Sequence, residues 1–442
     1  MAAEDKVIYE KFIIESTDKK RTVDISSGVT FFSYFEDIFS PYISAKVAVT
    51  NTGSTVKGED GVMQSLLNGL PLRGGERVII KIAGNSKVNK GMDFSDHPDK
   101  YFYVASIKNI MIDAERESFV LNLVSREALA NETIRVGRKF MSSQKISDSV
   151  RDILKDYLKT NKIEKIDETK NLYGFIGNLK KPFNIIRWLA SKSVPKDGKK
   201  DSSAGFLFYQ TINGFNFRSI DNLITQKPHE NEYTYNTGIV NDKDPLKDFK
   251  IKTFNFGNVD ILAKLERGGY ASQRFYINPV DFTINKNTVF KGNDYVNSTP
   301  NLGDKILNLF SFEKSGKDIS QMPSRIFTAM LDIGTLEKNA KLTGWNDPST
   351  RNADPSKIHS QSMVRYQQLK TQVVQIQVPC NMKLTAGTVI RCNFPRIDRE
   401  KRKVPDRNQS GLYMISAIDH HFDGDGSVSQ IELIRDTIGR KW

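Results

Sequence analysis

Residues 384–394 read Leu-Thr-Ala-Gly-Thr-Val-Ile-Arg-Cys-Asn-Phe, in which a Leu-x-x-Gly signal precedes alternating apolar positions. Residues 72–82 have the same order, with Gly75 in the place of Gly387. Glycine admits the backbone angles that tight turns need, and apolar alternation with a period of two is typical of a half-buried strand. The two stretches therefore predict the same turn and strand near each end of the chain.

A pair of strands follows each turn, because residues 103–124 and 413–434 align without a gap. The identical positions are Tyr103 and Tyr413, Ser106 and Ser416, Asp113 and Asp423, and Leu123 and Leu433. Gly75 lies 28 residues before the first of these tyrosines and Gly387 lies 26 before the second, so order and spacing agree as well. Together they indicate a duplicated β-module whose two copies are separated by a long insertion.

Length and composition are those of a folded protein with several domains. The chain has 442 residues, of which 38% are hydrophobic and 26% are charged, as in ordinary soluble proteins. No run approaches the roughly 18 apolar residues that cross a bilayer, and the polar N-terminus does not resemble a secretory signal. We therefore expect synthesis in a cytoplasm and no stable membrane association.

Cysteine content and charge exclude two further classes. Cys380 and Cys392 are the only cysteines, so no disulfide framework is expected, although they flank the turn at residues 384–387 and a single pairing stays open. The 65 basic and 52 acidic residues give a net charge of +13 that is spread thinly. A dedicated nucleic-acid binder usually concentrates such charge in a stripe, so we expect only a mild attraction to polyanions.

Between the two copies the apolar period changes to that of a helix. An apolar stripe predicts a helix over residues 146–158, and Pro182 is placed to begin a second helix. Asn213 and Gly214 then join two apolar runs into a hairpin over residues 206–220. Two helices and a hairpin predict a small α+β unit.

Shorter patterns complete the expected fold, which is α+β, mainly β. Strands are predicted at residues 7–14, 43–49, 250–265, 274–284 and 373–378, and helices at residues 61–68, 324–331 and 357–370. The expected division is a β-domain at residues 1–130, an α+β domain at 131–225, a discontinuous second β-domain at 226–268 and 358–442, and an inserted domain or excursion at 269–357. The inserted part has a surface-like composition, which is typical of segments that bind a partner.

The sequence Asp-His-His-Phe-Asp-Gly-Asp-Gly at residues 419–426 is the most suggestive cluster, since imidazoles and carboxylates bind divalent metals. Adjacent strand residues point to opposite faces, however, so His420 and His421 do not easily share one ion. Asp-Gly-Asp-Gly is also a tight-turn signal, and the first copy has Asp113 at this point without histidines. A strand turn is therefore favoured over a metal site.

Familiar catalytic and nucleotide-binding signatures do not occur in the sequence. It has no nucleophile elbow, phosphate-binding loop, dinucleotide fingerprint or His-Glu-x-x-His motif. We therefore predict no catalytic residue, no cofactor and no metal, and a protein that is not an enzyme.

Two stretches are candidates for contacts with other proteins. The aromatic segment at residues 31–39 is either an internal core segment, which the pattern favours, or an edge that packs on another surface. The basic run at residues 396–403 is either a solvated loop, again favoured, or a contact for an acidic surface or polyanion. The candidate interface residues are Phe31, Phe32, Tyr34, Phe35, Arg396, Arg399, Lys401, Arg402 and Lys403.

In this order of elements the chain resembles the central baseplate hub proteins of contractile-tailed bacteriophages of the T-even type. These are related to the base portions of type VI secretion spike proteins. The resemblance is carried best by the helix that ends at Lys370, the strand at residues 373–378, the turn at residues 384–387 and the strand pair at residues 413–434. Two helices and a hairpin between two β-modules match the family's second domain.

The resemblance implies that the β-modules are β-barrel-like tube domains and that the other two parts are smaller α+β domains. It implies a homotrimer whose ring of six similar modules joins the sixfold tail tube to the threefold central spike, around a channel for DNA ejection. Expected partners are the central spike protein, the tail tube protein or a tube initiator, and baseplate wedge proteins. Genomic DNA would pass through without specific binding. The expected location is the tail baseplate of the virion, after assembly in the host cytoplasm.

The competing function is a tail-associated hydrolase or a nucleic-acid-binding protein, in which residues 293–355 would cover a substrate. Basic groups in a DNA channel would hold the DNA back. For the hub, we therefore expect the excess positive charge on the outer surface of the ring.

Overall fold

The computed structural model of this chain describes residues 2–58, 61–113, 115–196, 203–235, 245–257, 260–278, 282–284, 288–291, 299–304, 316, 318–332, 334–335, 355–396 and 404–439. Strands account for more of this backbone than helices do, which confirms the prediction of an α+β, mainly β fold. The sheets are open, and none closes into a barrel within the described residues.

The strands of the N-terminal part are β1 (Tyr9–Glu15), β2 (Thr22–Asp24), β3 (Val29–Asp37), β4 (Ser44–Thr52), β5 (Val56–Lys57), β6 (Met63–Gln64), β7 (Arg77–Ala83), β8 (Gly91–Asp93), β9 (Phe102–Ile112) and β10 (Arg116–Ser125). The later strands are β11 (Lys139–Phe140), β12 (Ile163–Ile166), β13 (Phe175–Ile176), β14 (Phe206–Thr211), β15 (Gly214–Ser219), β16 (Glu232–Tyr235), β17 (Lys250–Ile251), β18 (Thr253–Phe256), β19 (Ala271–Ile277), β20 (Thr288–Lys291), β21 (Arg325–Met330), β22 (Gln372–Pro379), β23 (Val389–Asn393), β24 (Gly411–Asp423) and β25 (Ser427–Arg435).

The helices are α1 (Leu66–Gly69), α2 (Arg126–Thr133), α3 (Ile146–Asp152), α4 (Pro182–Ala190), α5 (Ile220–Thr225), α6 (Ile261–Glu266) and α7 (Pro355–Leu369). Among the residues described, these helices are all too short or too polar to cross a membrane.

One 15-stranded sheet runs through both β-modules. Its main path is β17-β16-β23-β24-β3-β4-β10-β9-β7-β1-β2, while β25, β22 and β18 branch from β24, and β8 pairs with β7. β24 has three neighbours because it pairs with β23 near its start and with β25 and β3 further along. The two copies expected from the sequence therefore share one sheet.

Each β-module has its own apolar core. In β4 and the residue before it, the predicted face of Ile43, Ala45, Val47 and Val49 is buried in the first module. A separate cluster around β22, β24 and β25 forms the core of the second module. Burying one large apolar side chain contributes about 1.5–3 kcal/mol, so these alternating faces stabilise the shared sheet over both cores.

The α+β unit between the modules has the predicted helices. The stripe that includes Ile146, Val150 and Leu154 is buried, and α3 continues as a π-helical turn over Ile153–Tyr157. α4 begins at Pro182, as predicted. Both helices pack with the apolar residues of β14 and β15 in a third core.

The predicted hairpin forms with its turn one position earlier than expected. Thr211 pairs with Gly214, so Ile212 and Asn213 are the turn residues. Gly214 instead begins β15 with a φ of 138°. A side chain there would lie 2.8 Å from the carbonyl oxygen of Lys162, which explains why glycine occupies the position.

A fourth apolar cluster joins the α+β unit to the second β-module. Beside it, Arg365 of α7 is 1% exposed and contacts Asp436 at 2.9 Å and Asp221 of α5 at 3.3 Å. This buried ion cluster connects three parts of the chain that are distant in sequence.

Three predicted elements differ from the structure. Within residues 61–68 only the last part is helical, because Met63 and Gln64 pair with β5. Residues 261–265, predicted as strand, lie in α6, whose first turn is capped by the side chain of Asp260. Residues 324–331, predicted as a helix, contain β21, since their β-branched and aromatic side chains suit a strand and pair in parallel with β19.

The described part of residues 269–357 contains a separate three-stranded sheet of β20, β19 and β21. Asp332 attaches the segment after β21 to the α+β unit. Its carboxylate accepts a hydrogen bond from the Tyr173 hydroxyl at 2.6 Å and lies 2.7 Å from the Lys192 ammonium.

Candidate functional site at the junction of the two β-modules

The two Leu-x-x-Gly turns make the same backbone contacts. The amide of Gly75 donates to the carbonyl of Val104 at 2.7 Å, and that of Gly387 donates to the carbonyl of Ile415 at 2.8 Å. In both modules the amide of that same strand residue, Val104 or Ile415, then donates at 2.9 Å to the carbonyl of the residue that follows the glycine. The glycines have φ values of 90° and 88°. The repeated turn predicted from the sequence is therefore present in both modules.

Asp113 and Asp423 hold the two hairpin turns in the same way. The Oδ1 atom of Asp113 accepts bonds from two backbone amides at 2.8 and 2.7 Å, and that of Asp423 accepts two at 2.8 and 2.9 Å. Residues 419–426 are thus the strand and turn that the sequence favoured. Across the described residues, no group of three metal-ligating side chains comes together.

The identity between Tyr103 and Tyr413 is not a structural equivalence. Judged by the pairing with β10 and β25, Tyr413 corresponds to Phe102, and both of these side chains are buried. A bulge near Asn109, which has a φ of 53°, absorbs the difference of one residue before the turn. An alignment without a gap cannot represent such a bulge.

β3 and β24 join the modules by antiparallel pairing over seven residues, from Asp37 opposite Ala417 to Phe31 opposite Asp423. We call this pair of strands, β3 and β24, the module junction. It contains the aromatic segment of residues 31–39, which is therefore a central strand and not an edge.

One face of the module junction lies in the core. Phe32 and Tyr34 are both 0% exposed. The ring centroid of Phe32 lies 5.6 Å from that of Phe12 and 6.1 Å from that of Phe422, while Tyr34 stacks on His420 at 6.3 Å. Phe32 and Tyr34 are therefore inaccessible to another protein while the sheet is intact.

Glu36 lies on the same buried face and contacts three separate parts of the chain. Its carboxylate accepts bonds from the Tyr34 hydroxyl at 2.8 Å, the Ile212 amide at 2.6 Å and the Ala386 amide at 2.9 Å. Burial raises the pKa of Glu36 to about 7, although the three donors act in the opposite direction. This carboxyl group connects β3 to the hairpin turn of the α+β unit and to the repeated glycine turn.

Glu36 is not among the residues predicted from the sequence, although the sequence contains a signal for it. In a strand, residues two apart share a face, so Glu36 lies on the face of Phe32 and Tyr34. A carboxylate on an otherwise apolar face is rare unless it is hydrogen-bonded, and that pattern indicates a buried polar contact.

His420 holds the same glycine turn from the other strand. It is 1% exposed, with Nε2 3.3 Å from the Leu384 carbonyl oxygen and Nδ1 2.8 Å from the Ser429 hydroxyl. Burial lowers the pKa of His420 to about 4, so the ring is neutral, and we assign the proton to Nε2 because the Leu384 carbonyl can only accept. Both ring nitrogens of His420 therefore have hydrogen-bond partners within the fold.

Gly387 is enclosed on its remaining side. A side chain at this position would place its first carbon 2.4 Å from the Tyr209 hydroxyl oxygen. The Gln226 amide also donates to the Gly387 carbonyl at 2.6 Å. By contrast, a side chain at Gly75 would meet only Thr17, at 4.0 Å. The second glycine turn therefore forms a contact with the α+β unit that the first does not.

The opposite face of the module junction carries a Ser-His-Asp arrangement. Ser33 Oγ lies 2.7 Å from His421 Nδ1, and His421 Nε2 lies 3.2 Å from Asp423 Oδ2. Ser33 is 4% exposed and sits within a strand that is paired on both sides, where a substrate carbonyl has no access. The arrangement therefore stabilises the junction and gives no support to a hydrolase.

Phe31 and Phe35 lie on this second face and are half-buried. The Phe31 ring is 5.5 Å from that of His421, and the Lys46 ammonium lies 5.2 Å over Phe35. Of the four aromatic interface candidates, these two are the ones that keep some access to solvent.

A groove of about 830 Å³ lies over the second face. β3, β22, β24 and β25 contribute to its lining, and residues of β4 and β18 border it. The charged side chains that face it are those of Asp37, Lys46, Asp419 and Glu432, while the carboxylate of Glu36 lies on the buried face. Burial raises the pKa of Asp419 to about 6, while His421 and Lys46 act to lower it. More of the charged side chains that face the groove are acidic than basic.

The remaining candidates lie away from the junction or outside the described residues. Arg396 is exposed, at the end of the stretch that follows β23. Arg399, Lys401, Arg402 and Lys403 lie outside the described residues.

Cys380 and Cys392 are both free and buried, in the cores of different modules. The disulfide that the sequence left open therefore does not form. Burial raises the pKa of the Cys380 thiol to about 12, and it raises that of Cys392 as well.

The chain is similar to solved structures of phage tail proteins. One is a 43 kDa tail protein of prophage MuSo2 from Shewanella oneidensis, with a TM-score of 0.50 and 10% identity over 97% of this chain and 98% of that one. Another is a tail protein from Neisseria meningitidis MC58, with a TM-score of 0.53 and 8% identity over 96% of both chains. The chain therefore shares its overall fold with these tail proteins along nearly its whole length.

A third similar structure is the Escherichia coli c3393 protein, described as a component of the type VI secretion system. It matches with a TM-score of 0.40 and 9% identity over 94% of this chain and 76% of that one. No protein-family model and no curated protein matches this chain.

Proposed function

We propose that this chain is a structural virion protein, the trimeric baseplate hub of a contractile bacteriophage tail. Three copies form a ring that joins the sixfold tail tube to the threefold central spike and surrounds part of the DNA-ejection channel. The observation that carries the proposal is the module junction. Two like β-modules of one chain are fused through β3 and β24 into one sheet, within a fold shared with phage tail proteins.

The module junction suits a protein that lies between a sixfold and a threefold assembly. A ring of three chains with two like modules each has six near-equivalent positions, which is what a protein between a sixfold and a threefold assembly requires. The equivalent turns at Gly75 and Gly387, and at Asp113 and Asp423, support a close likeness of the modules. The chain thus acts as a symmetry adaptor.

The domain division follows the separate cores. We assign residues 1–130 and residues 226–268 with 358–442 to the two tube domains, residues 131–225 to an α+β domain and residues 269–357 to an inserted domain. A barrel-like second tube domain is supported by β17 and β18, which are separated by Lys252 alone and pair with β16 and β22 respectively.

We place the grooved face of the shared sheet toward the channel. Its charged side chains, Asp37, Asp419 and Glu432 against Lys46, are mostly acidic and would not hold a DNA backbone in place. The excess of basic groups then belongs on the outer surface, where it faces wedge proteins. A ring with a strongly basic channel would overturn this arrangement.

The partners follow from the ring. One side binds the tail tube protein or its initiator, and the other binds the central spike. The location is the tail baseplate of the virion after assembly in the host cytoplasm. The role is structural, without catalysis or a cofactor.

Mass photometry of the purified chain tests the proposal. The expected particle has three times the chain mass of 50.1 kDa. Negative-stain images should have a ring with six similar densities. A chain that stays monomeric at micromolar concentration, or that binds DNA with a steep salt dependence, would contradict the hub and favour a nucleic-acid-binding protein.

A further inference from the structure

β9 has a free edge where its counterpart β24 has a partner strand. β24 pairs with β25 on one side and with β3 on the other. β9 pairs with β10 on one side but with β7 only at Phe102 and Tyr103 on the other. Within the part of the chain that the structure describes, the rest of this β9 edge lacks a neighbouring strand.

The end of β9 is apolar and exposed. Ile110, Met111 and Ile112 are 52%, 68% and 66% exposed. By the pairing with β10 and β25, Ile112 corresponds to Phe422, which is 0% exposed because it packs on Phe32 in the module junction. The same position is covered in one module and bare in the other.

The second module contains a counterpart of β3, namely β18. β3 pairs with β4, which pairs with β10, and β18 pairs with β22, which pairs with β25. Following these registers, Phe254 occupies the position of Phe32, and Asn255 that of Ser33. The correspondence of β18 with β3 cannot be recognised in the sequence, because few residues of the two strands are shared.

β18 also has a free edge. Among the described residues it pairs with β22 alone, and Thr253 and Asn255 are exposed. The chain therefore offers one unpaired edge on each module, and these edges are counterparts of the two strands that pair in the module junction.

We propose that the end of β9 in one copy pairs antiparallel with β18 of a second copy, in the register of the module junction. His421 lies opposite Ser33 in that junction, so Met111 lies opposite Asn255 between copies. The inference rests on the proposed ring, and it identifies the contact that closes the ring.

The next pair in this register explains the exposed apolar residues. Phe422 lies opposite Phe32 in the junction, so Ile112 lies opposite Phe254 between copies and is covered there. The bulge at Asn109 limits regular pairing to the residues beyond it.

The contact is head-to-tail, since β9 and β18 belong to different modules. A head-to-tail contact closes into a ring of three copies when three successive rotations from one copy to the next complete a full turn. Every β9 edge and every β18 edge in that ring is then paired. Unpaired edges with apolar side chains otherwise promote unspecific association, so a specific second copy is the partner that suits them.

Cysteine cross-linking tests the register. The double variant Met111→Cys with Asn255→Cys should form intermolecular disulfides on mild oxidation, with a covalent trimer as the largest product on a non-reducing gel. The control is Met111→Cys with Gln375→Cys, because Gln375 is also exposed and lies one strand beyond Asn255. Cys380 and Cys392 are buried and will not compete.

A trimer in which the first pair stays unlinked, or in which the control pair links equally well, would overturn the β9–β18 contact and leave the hub function standing. A chain that is monomeric and unlinked overturns both. As a second measurement, Met111→Asp should weaken trimer formation at least tenfold with an unchanged melting temperature of the monomer, whereas Gln375→Asp should not. Equal association of both variants would again reject the contact.

Discussion

The carboxylate of Glu36 accepts a hydrogen bond of 2.9 Å from the backbone amide of Ala386, 350 positions away in the chain. The same carboxylate accepts one from Ile212, so a single side chain holds the module junction, the α+β unit and the second glycine turn together. These contacts predict how the chain responds to substitution and to pH.

Glu36→Ala should lower the free energy of unfolding at pH 5 by about 1–3 kcal/mol, because it leaves the buried amides of Ile212 and Ala386 without their acceptor. Urea unfolding followed by circular dichroism measures the change. Gln375→Glu, on the exposed face of β22, serves as a control and should change stability little. Equal stability of Glu36→Ala and the wild type at pH 5 would contradict the role of this carboxyl group as an acceptor.

Stability should lose a contribution from Glu36 as the pH rises. Its folded pKa of about 7 lies above the ordinary value of 4.5, so the fold favours the protonated form. The contribution is complete below pH 4.5 and disappears as the pH passes 7, by up to about 3 kcal/mol. Glu36→Gln should remove this dependence. An unchanged slope in unfolding experiments between pH 5 and pH 8 would reject the assignment.

His420 should have the opposite effect. Its folded pKa of about 4 lies below the ordinary 6.5, so the unfolded chain takes up the proton first. Stability is therefore complete above pH 6.5 and decreases as the pH falls toward 4, by up to about 3 kcal/mol. His420→Gln keeps a donor for the Leu384 carbonyl and should flatten the acid side of the profile. If it leaves acid sensitivity unchanged, another group is responsible.

The two repeated glycines should differ in their tolerance of alanine. Both have positive φ, which costs a non-glycine residue about 1–2 kcal/mol. Gly387→Ala adds a clash with Tyr209, whereas Gly75→Ala has open space, so the first should be clearly more destabilising. Thermal melting of both variants makes the comparison. Equal losses would mean that the turn at Gly387 can move away from the α+β unit.

Arg365→Met should destabilise the chain by about 3–5 kcal/mol, because it leaves Asp221 and Asp436 buried without their cation. Lys81→Met, which breaks the exposed pair with Glu10, is the matched control and should cost under about 1 kcal/mol. Denaturant unfolding compares the two. Similar losses would show that the buried cluster adds no more than a surface pair.

Local patterns predicted the local parts of this fold. The glycine turns, the helix at Pro182 and the face of β4 depend on neighbouring residues, and each was readable from spacing. The short apolar run of β21 fits both the helical and the strand period, so the sequence predicts a helix there. Its pairing with β19 makes it a strand.

The module junction could not be read in the same way. Its register joins strands nearly 400 residues apart, and no local pattern specifies which distant strand will be the partner. The shared contact of Glu36 and His420, the turn at Gly387, therefore could not be predicted from local patterns. The bulge at Asn109 likewise hid the correct correspondence of Tyr413 with Phe102.

Seven consecutive residue pairs between β3 and β24 also determine how the chain carries mechanical load. A pull along these strands is borne in shear by all the ladder bonds at once, whereas a flexible linker would let the modules swing apart. The two modules of one chain therefore behave as a single stiff plate. Any change in the diameter of an assembly built from such plates must occur at the seams between chains.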